Sequence, residues 1–233
     1  MLGLEAWYLD IPVVTRSYLT AAFLTTAACL LEFVYPLDIY YNYAMIFKEG
    51  EWWRLVTNFM YFGSDGLDFL FHMFFLSRYC RLLEEGLFRG RPADFVWMLL
   101  LGAFLMTCAA PFINIQFMGS ALAFMMVYVW ARQRDNADIS MRFLGLFEFT
   151  APYLPWILLV FSMLLGSSPT IDLLGICAGH VYYFFTQVYP VITGRSILET
   201  PRTFTLLIDH YAAHAGTYWT TIGAAFAISW IVL

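Results

Sequence analysis

Long apolar stretches, separated by short polar segments, dominate this chain of 233 residues. A helix needs about 20 apolar residues to cross roughly 30 Å of hydrocarbon, and several of the stretches are at or just below that length. The pattern therefore predicts an all-α polytopic membrane protein with six membrane-spanning helices. The predicted spans cover about residues 17–35, 66–83, 93–113, 115–131, 150–168 and 170–191.

The interval between the first two spans, from Tyr35 to Gly63, is rich in aromatic residues. It is too polar for a membrane span and too apolar for a free aqueous loop. Trp and Tyr are favoured at the membrane–water interface, where their rings sit at the level of the headgroups. The interval is therefore predicted to form short helices that lie in the interface.

The predicted membrane domain ends at about residue 192. Residues 193–233 are predicted to form a C-terminal segment that is cytosolic or membrane-associated. From His210 to Leu233 this segment contains no Asp, Glu, Lys or Arg. Residues 216–233 are accordingly a candidate for an extra span, with an interfacial helix and the start of a longer tail as open alternatives.

Composition supports a membrane protein and disfavours several other classes. Hydrophobic residues make up 61% of the chain, charged residues 12%, and the mean hydropathy is +0.69, whereas an ordinary soluble domain carries about 25% charge. A net charge of -5 without a dense Lys/Arg run gives no support for a nucleic-acid partner. The four cysteines lack paired spacing, so neither a disulfide framework nor a zinc site is predicted, and no cofactor is expected.

The basic residues orient the predicted spans. If the N-terminus is cytosolic, all of the 12 Lys and Arg residues except Lys48 and Arg54 fall on the cytosolic side. This asymmetry satisfies the positive-inside rule, so both ends of a six-span domain are predicted to be cytosolic. Two connections on the opposite side are expected to be short, one consisting of Asn114 alone and the other of residues 167–169.

Three classes of intramembrane protease can be compared with the sequence. Metalloproteases need an HExxH motif to bind zinc, aspartyl proteases need a GxGD motif, and the sequence contains neither. The fourth and sixth spans do resemble the two catalytic helices of rhomboid proteases, which carry a GxSG serine and a histidine base. Here the corresponding stretch reads GSAL from Gly119, which places Ala121 at the nucleophile position.

The remaining catalytic-like residues do not restore a nucleophile. The hydroxyl of Ser120 is one residue, about 100° of helix, off the required face. His180 lies in the sixth span where a rhomboid histidine would lie, but a base without a nucleophile cannot form an acyl-enzyme. We therefore predict a pseudoprotease with no catalytic residue, in which His180 is hydrogen-bonded inside the helix bundle.

Six segments between about residues 5 and 202 carry a family pattern that is specific over six or more residues in several places. They read IPVVTRSY, WWRLVTNFMYFG, RYCRLLEEGLFRGRPADF, VYVWARQ, APYLPW and LLGICAGHVYYFF. The pattern resembles the Derlin family, the rhomboid-like pseudoproteases of the endoplasmic reticulum. The resemblance implies a rhomboid-like six-helix transmembrane bundle with an interfacial first lumenal loop.

The same resemblance implies a function in endoplasmic-reticulum-associated degradation. The protein would recognise misfolded protein clients and help them reach the cytosol alongside a membrane ubiquitin ligase complex. Many Derlins recruit an AAA unfoldase through a polar tail motif, and because nothing after Pro201 resembles that motif, recruitment here is expected to be indirect. Short spans and a bulky interfacial loop would favour local thinning of the membrane lipid.

Two motifs acquire roles through the resemblance. Trp53 and Arg54, preceded by Trp52, form the Trp-Arg pair of the candidate membrane and client loop. The indole would sit among headgroups and the guanidinium would pair with a lipid phosphate or a loop carboxylate, with simple interfacial anchoring as the alternative. Gly175 and Gly179 form a GxxxG pattern that lets another helix approach closely, and an internal helix is the expected partner rather than a second subunit.

Two other functions stay open at this point. An active intramembrane serine protease would need a serine at position 121. A small-solute transporter would be expected to show inverted repeats or several ionisable residues in mid-membrane, and the sequence offers His72 and His180. The carboxylates of Asp172 and Glu32 are expected near the membrane edge, within reach of water.

Overall fold

Helices form in all six of the apolar stretches. The computed structural model describes residues 8–63, 66–133, 136, 138–143 and 147–214. The helices in the apolar stretches are α1 (Val13–Leu30), α5 (Gly66–Glu85), α6 (Pro92–Ile113), α7 (Gly119–Ala131), α8 (Leu154–Leu164) and α9 (Pro169–Tyr183). Three short helices lie in the aromatic interval between α1 and α5, namely α2 (Pro36–Ile39), α3 (Tyr43–Lys48) and α4 (Arg54–Thr57).

Two of these helices are long and apolar enough to cross a membrane. They are α1, with 18 residues and a mean hydropathy of 1.3, and α6, with 22 residues and a mean hydropathy of 2.1. The apolar helices α7 and α8 are shorter, with 13 and 11 residues. The chain is thus a helical protein with two candidate membrane spans among its described residues, and the six-span arrangement stays a prediction.

Helix α7 is the centre of the bundle. Every residue of α7 except Ser120 is buried, and none of its residues is charged. Helices α5, α6, α8 and α9 pack around it. A helix that is apolar on all sides is buried in a core or in a membrane, so the central position of α7 follows from its composition.

A carboxylate from a distant helix fixes the start of α1. The side chain of Glu84, near the end of α5, accepts hydrogen bonds from the backbone N–H groups of Val14 at 3.0 Å and Thr15 at 2.7 Å, and from the Thr15 hydroxyl at 2.7 Å. Pro12 at the helix N-cap supplies no side-chain cap of its own. The first helix therefore begins at Val13 and ends at Leu30, earlier at both ends than the predicted range of 17–35.

Helix α7, which corresponds to the fourth predicted span, begins later than the predicted residue 115. The segment from Ile115 to Met118 is not helical and is hydrogen-bonded to the first loop: the N–H of Tyr41 donates to Gln116 O at 2.8 Å, and the N–H of Met118 donates to Asn58 O at 3.2 Å. The connection between α6 and α7 therefore spans residues 114–118 rather than Asn114 alone. Hydrogen bonds to the loop take the place of the first turn of helix.

The last two apolar helices also differ from their predicted ranges. Helix α8 ends at Leu164, and residues 165–168 connect it to α9. Beyond Tyr183 the chain passes through a π-helical turn, Phe184–Val188, into α10 (Tyr189–Thr193). Pro190 has no backbone N–H and cannot continue a regular helical ladder. The π-helical turn lies just before it, as a single-turn interruption between two α-helical segments.

Two elements were not predicted from the sequence. A two-stranded antiparallel hairpin, β1 (Ser140–Phe143) with β2 (Phe147–Thr150), lies between α7 and α8 and is an exception to the all-α class. A further helix, α11, covers 202–214. It packs on α6, where the rings of Phe204 and Trp97 lie 5.5 Å apart and the Thr200 hydroxyl donates to Asp94 at 2.6 Å. The candidate extra span at 216–233 lies outside the described residues.

Candidate functional site

The nucleophile position of the rhomboid-like pattern lies at the closest contact between α7 and α9. Ala121 is completely buried in the middle layer of the bundle. A Cβ atom at Gly175 would lie 2.1 Å from the carbonyl oxygen of Ala121, a distance that no side chain tolerates. The backbone of α9 therefore rests directly on the backbone of α7 at Ala121, the residue at which a protease would need its hydroxyl.

The second glycine of the pattern faces the same helix. A Cβ atom at Gly179 would lie 3.0 Å from the Cβ atom of Tyr128 and 3.2 Å from the carbonyl oxygen of Met125. Both glycines therefore face the internal helix α7, as expected from the sequence. The contact is tighter at Gly175, where backbone meets backbone, than at Gly179, where side-chain atoms are the nearest neighbours.

His180 is hydrogen-bonded to a tyrosine on α7. Its Nδ1 atom lies 2.6 Å from the hydroxyl oxygen of Tyr128, and the two rings meet edge to face at 5.8 Å. The hydrogen bond agrees with the sequence-based expectation, but the location differs, because His180 is exposed on the outer surface of the bundle. Since Gly179 faces α7, the next residue is turned about 100° away from the interior.

Ser120 lies apart from His180. Its side chain lines a cavity of about 210 Å³ at the end of the bundle where the aromatic loop lies, and the walls of this cavity also include His72 and Asp172. Tyr128, the partner of His180, is eight positions further along α7, roughly 12 Å of helix rise. The structure therefore does not bring Ser120 and His180 together as a nucleophile and its base.

Arg54 holds the first loop together from the inside. Its side chain is buried, and its Nε atom pairs with the carboxylate of Glu51. Its Nη1 atom donates to the carbonyl oxygens of Leu37 at 2.7 Å and Tyr40 at 3.3 Å, and the guanidinium lies 5.1 Å from the centroid of the Tyr40 ring. Of the two partners considered for this guanidinium, the structure shows the loop carboxylate.

The two tryptophans lie on the outside of the same loop. Trp52 and Trp53 are 57% and 53% exposed. The indole N–H of Trp53 donates to Asp38 O at 3.3 Å, and the ring of Trp52 meets the ring of Phe47 edge on at 5.6 Å. Both indoles are thus oriented by the loop and still present large amphipathic surfaces, which is the arrangement that suits a headgroup layer.

Backbone contacts hold the loop against the bundle. The Tyr18 hydroxyl of α1 donates to Phe59 O at 2.9 Å. At the start of α7, a Cβ atom at Gly119 would lie 2.8 Å from Tyr61 O, so only glycine admits the loop here. Nearby, burial raises the pKa of the Tyr41 phenol above its ordinary value, and its hydroxyl donates to Thr107 O at 3.4 Å. The loop is therefore a built part of the bundle.

Several of these residues were missed by the sequence analysis. Tyr128 and Glu51 carry no signal of their own, because their partners come from contacts that a linear pattern does not reveal. Asn58 did carry one: it follows Arg54 by one helical turn, and its amide donates to Arg54 O at 2.6 Å and Leu55 O at 3.1 Å. An Asn at the end of a short polar helix is a common capping residue.

Comparison with known proteins identifies relatives over most of the chain. The model of the Der1-like family matches residues 11–202. The chain is 53% identical over 210 residues to Derlin-2.2 of Arabidopsis thaliana, with 85% of each chain covered. It is 54% identical to Derlin-2 of Oryza sativa subsp. japonica, with 85% of this chain and 84% of the relative covered. It is 43% identical to the probable derlin-2 homolog of Dictyostelium discoideum, with 88% and 83% covered.

The two glycines of α9 should differ in their tolerance of a methyl group. Gly175→Ala should lower the thermal stability in mild detergent by the equivalent of about 1–3 kcal/mol or more, because the backbone of α7 cannot move aside cheaply. Gly179→Ala should cost less than about 1 kcal/mol, since the better helix propensity of Ala offsets slight crowding of Tyr128. Cys177→Leu on the exposed face of the same helix is the control. Equal losses at both glycines would contradict the backbone contact.

The loop variants should separate internal support from surface contact. Arg54→Ala leaves Glu51 and two carbonyls without their partner and should loosen the loop, at about 3–5 kcal/mol for a broken buried pair. Arg54→Lys should have an intermediate effect on the rate of proteolysis in the loop, because lysine lacks the planar fork of arginine. Trp53→Ala should scarcely change that rate. The measurement is the rate of limited proteolysis within residues 35–63. Arg81→Ala, which removes an exposed ion pair with Glu85, is the control, and a protected loop in Arg54→Ala would contradict the assignment.

Proposed function

Because the chain belongs to the Der1-like family, the Derlins, we propose that it is a non-catalytic membrane factor of endoplasmic-reticulum-associated degradation. The observation that carries the non-catalytic part is the residue at the nucleophile position. Ala121 has no hydroxyl, and its carbonyl group lies against the backbone of α9 at Gly175. Acyl transfer needs a nucleophile within hydrogen-bond reach of its base, and here the candidate base is engaged by Tyr128.

The proposed topology follows the basic residues. The six apolar helices form a rhomboid-like bundle in the endoplasmic reticulum membrane, with the N-terminus cytosolic and the aromatic loop on the lumenal side. The exposed indoles of Trp52 and Trp53 contact membrane lipid at the lumenal interface and lie where misfolded clients arrive. The buried guanidinium of Arg54 acts through the shape of the loop rather than by touching lipid phosphate.

Local thinning of the bilayer is supported by the length of one lipid-facing helix. Helix α8 has 11 residues, about 17 Å, and the preceding 3₁₀ turn adds roughly 6 Å. Its exposed face carries apolar residues, among them Trp156, Val160 and Leu164. By contrast, α6 has 22 residues, about 33 Å. Lipid beside α8 must shorten to match, and a shorter barrier eases the passage of a polar polypeptide.

The bilayer should therefore be thinner beside α8 than beside α6 when its thickness is measured by electron cryo-microscopy in nanodiscs. Equal thickness beside the two helices would contradict this step.

The partners of the proposed function are misfolded protein clients and a membrane ubiquitin ligase complex. The bundle would hold the client and lower the membrane barrier, and the ligase would mark the client on the cytosolic side. An AAA unfoldase would supply the pulling force and join through the ligase.

The purified protein should not react as a serine hydrolase. A fluorophosphonate probe should give no covalent labelling, and model transmembrane substrates should stay intact, because the methyl group of Ala121 cannot attack a carbonyl. An active rhomboid protease in the same detergent is the positive control. A probe adduct found on Ser120 by mass spectrometry would overturn the non-catalytic assignment.

Cells that lack the protein should degrade a misfolded lumenal client more slowly than cells that contain it. Re-expression of the wild-type chain should restore the half-life measured by pulse-chase, and affinity purification in mild detergent should recover a membrane ubiquitin ligase. The unfoldase should co-purify only while that ligase is present. An unchanged client half-life in the deficient cells, with the ligase also missing from the purified sample, would refute the proposed function.

A further inference from the structure

A small cavity at the loop end of the bundle combines a carboxylate with aromatic walls. Its volume is about 210 Å³. Four parts of the chain enclose it: the end of the first loop, α5, the start of α7, and the connection from α8 into the first turn of α9. The side chains that matter for its chemistry are Tyr61, Phe62, Phe117, Ser120, His72 and Asp172.

Asp172 gives the cavity its charge. The residue lies in the first turn of α9 and is 1% exposed, so the structure places it in the wall of the cavity instead of at an open membrane edge, where the sequence had suggested it. A carboxylate accepts hydrogen bonds but donates none. In a low-dielectric wall, a carboxylate is stabilised by a cation or by strong donors. The second titratable group of the wall, His72 of α5, is 4% exposed.

The aromatic residues of the wall also suit a cationic occupant. The rings of Tyr61 and Phe117 lie 4.6 Å apart and are tilted by 46°, and the ring of Phe62 is buried beside them. The faces of aromatic rings carry negative potential and attract ammonium and guanidinium groups, more strongly where water is excluded. Ser120 adds a hydroxyl that can accept a hydrogen bond from such a group.

The size of the cavity limits the occupant to one group. Sites for drug-sized molecules measure about 300–1,000 Å³, and one water takes about 30 Å³ of liquid volume. A cavity of about 210 Å³ therefore holds the end of a single long side chain. A primary ammonium or a guanidinium fits better than a quaternary ammonium, since its N–H groups can donate to the carboxylate and the hydroxyl, whereas a quaternary ammonium has no N–H.

We propose that this cavity binds the cationic end of a Lys or Arg side chain of a client polypeptide, with Asp172 as its counterion and the rings of Tyr61 and Phe117 as its walls. The identity of the occupant as a client rests on the proposed function, whereas the cation preference of the cavity does not. The site would give an unfolded lumenal segment a first hold next to the loop, before the segment enters the thinned region.

The cation preference can be measured with thiol reagents. In a Ser120→Cys variant of the full chain in neutral detergent, an aminoethyl methanethiosulfonate should modify the new cysteine about tenfold faster than the anionic sulfonatoethyl reagent, because a charged cleft concentrates counter-ions. Mass spectrometry reads the site, since the chain has four native cysteines. Adding Asp172→Asn should reduce the ratio to the value at an exposed loop control, Ala44→Cys. The proposal is overturned if Asp172→Asn leaves the ratio of the two rates unchanged, or if both reagents modify position 120 at equal rates.

A second measurement separates the cation site from the client. A photo-crosslinking residue at Phe117 should capture a misfolded client that carries a lysine in its unfolded segment, and Lys→Gln in that segment should abolish the crosslink. If the reagent ratio at position 120 stands but only lipid is crosslinked, the polypeptide assignment is wrong and a headgroup amine is the occupant. If clients fail to crosslink and their half-life is also unchanged in deficient cells, the proposed function fails with it. Unchanged thermal stability of Asp172→Asn confirms that the variant is folded.

Discussion

The backbone contact between α7 and α9 is the constraint on which the rest of the structure depends. At Gly175 the two helices approach so closely that a single methyl group would collide with the carbonyl oxygen of Ala121. That approach buries the side of α7 that faces α9 and turns His180 outward, where it is hydrogen-bonded to Tyr128. Van der Waals contact between small residues is the main driving force for helix association in lipid, where the hydrophobic effect contributes little. A glycine-to-carbonyl contact therefore matters more here than it would in a water-soluble core.

Close backbone packing also determines the position of the first loop. Gly119 lets the loop carbonyl of Tyr61 lie against the first turn of α7, and Arg54 ties the interior of the loop to its own backbone. A loop with satisfied internal hydrogen bonds can present Trp52 and Trp53 to a headgroup layer without losing its shape. Structural support and surface exposure are thus divided between neighbouring residues, with the cation inside and the indoles outside.

This division suits the proposed function, which needs no catalytic chemistry. Ala121 takes part in a close backbone contact between α7 and α9, so this residue serves helix association. A few residues away, the walls of a polar cavity still gather Ser120, His72 and Asp172. In the proposed function the bundle holds a polypeptide and distorts the lipid around the short helix α8. Both are binding tasks that need charge and shape but no reactive group.

The sequence by itself determined where the helices form and which family the chain belongs to, and it supplied the prediction that Ala121 stands at a nucleophile position. These features are local: apolar runs, short motifs and single residues are visible in a linear pattern. Tertiary structure decided the helix ends, the direction of His180 and the burial of Asp172. The start of α1 depends on a carboxylate 69 residues away, and the start of α7 on backbone donors and acceptors in the loop. Such contacts exist only after distant segments have been brought together, so no periodicity in the sequence could reveal them.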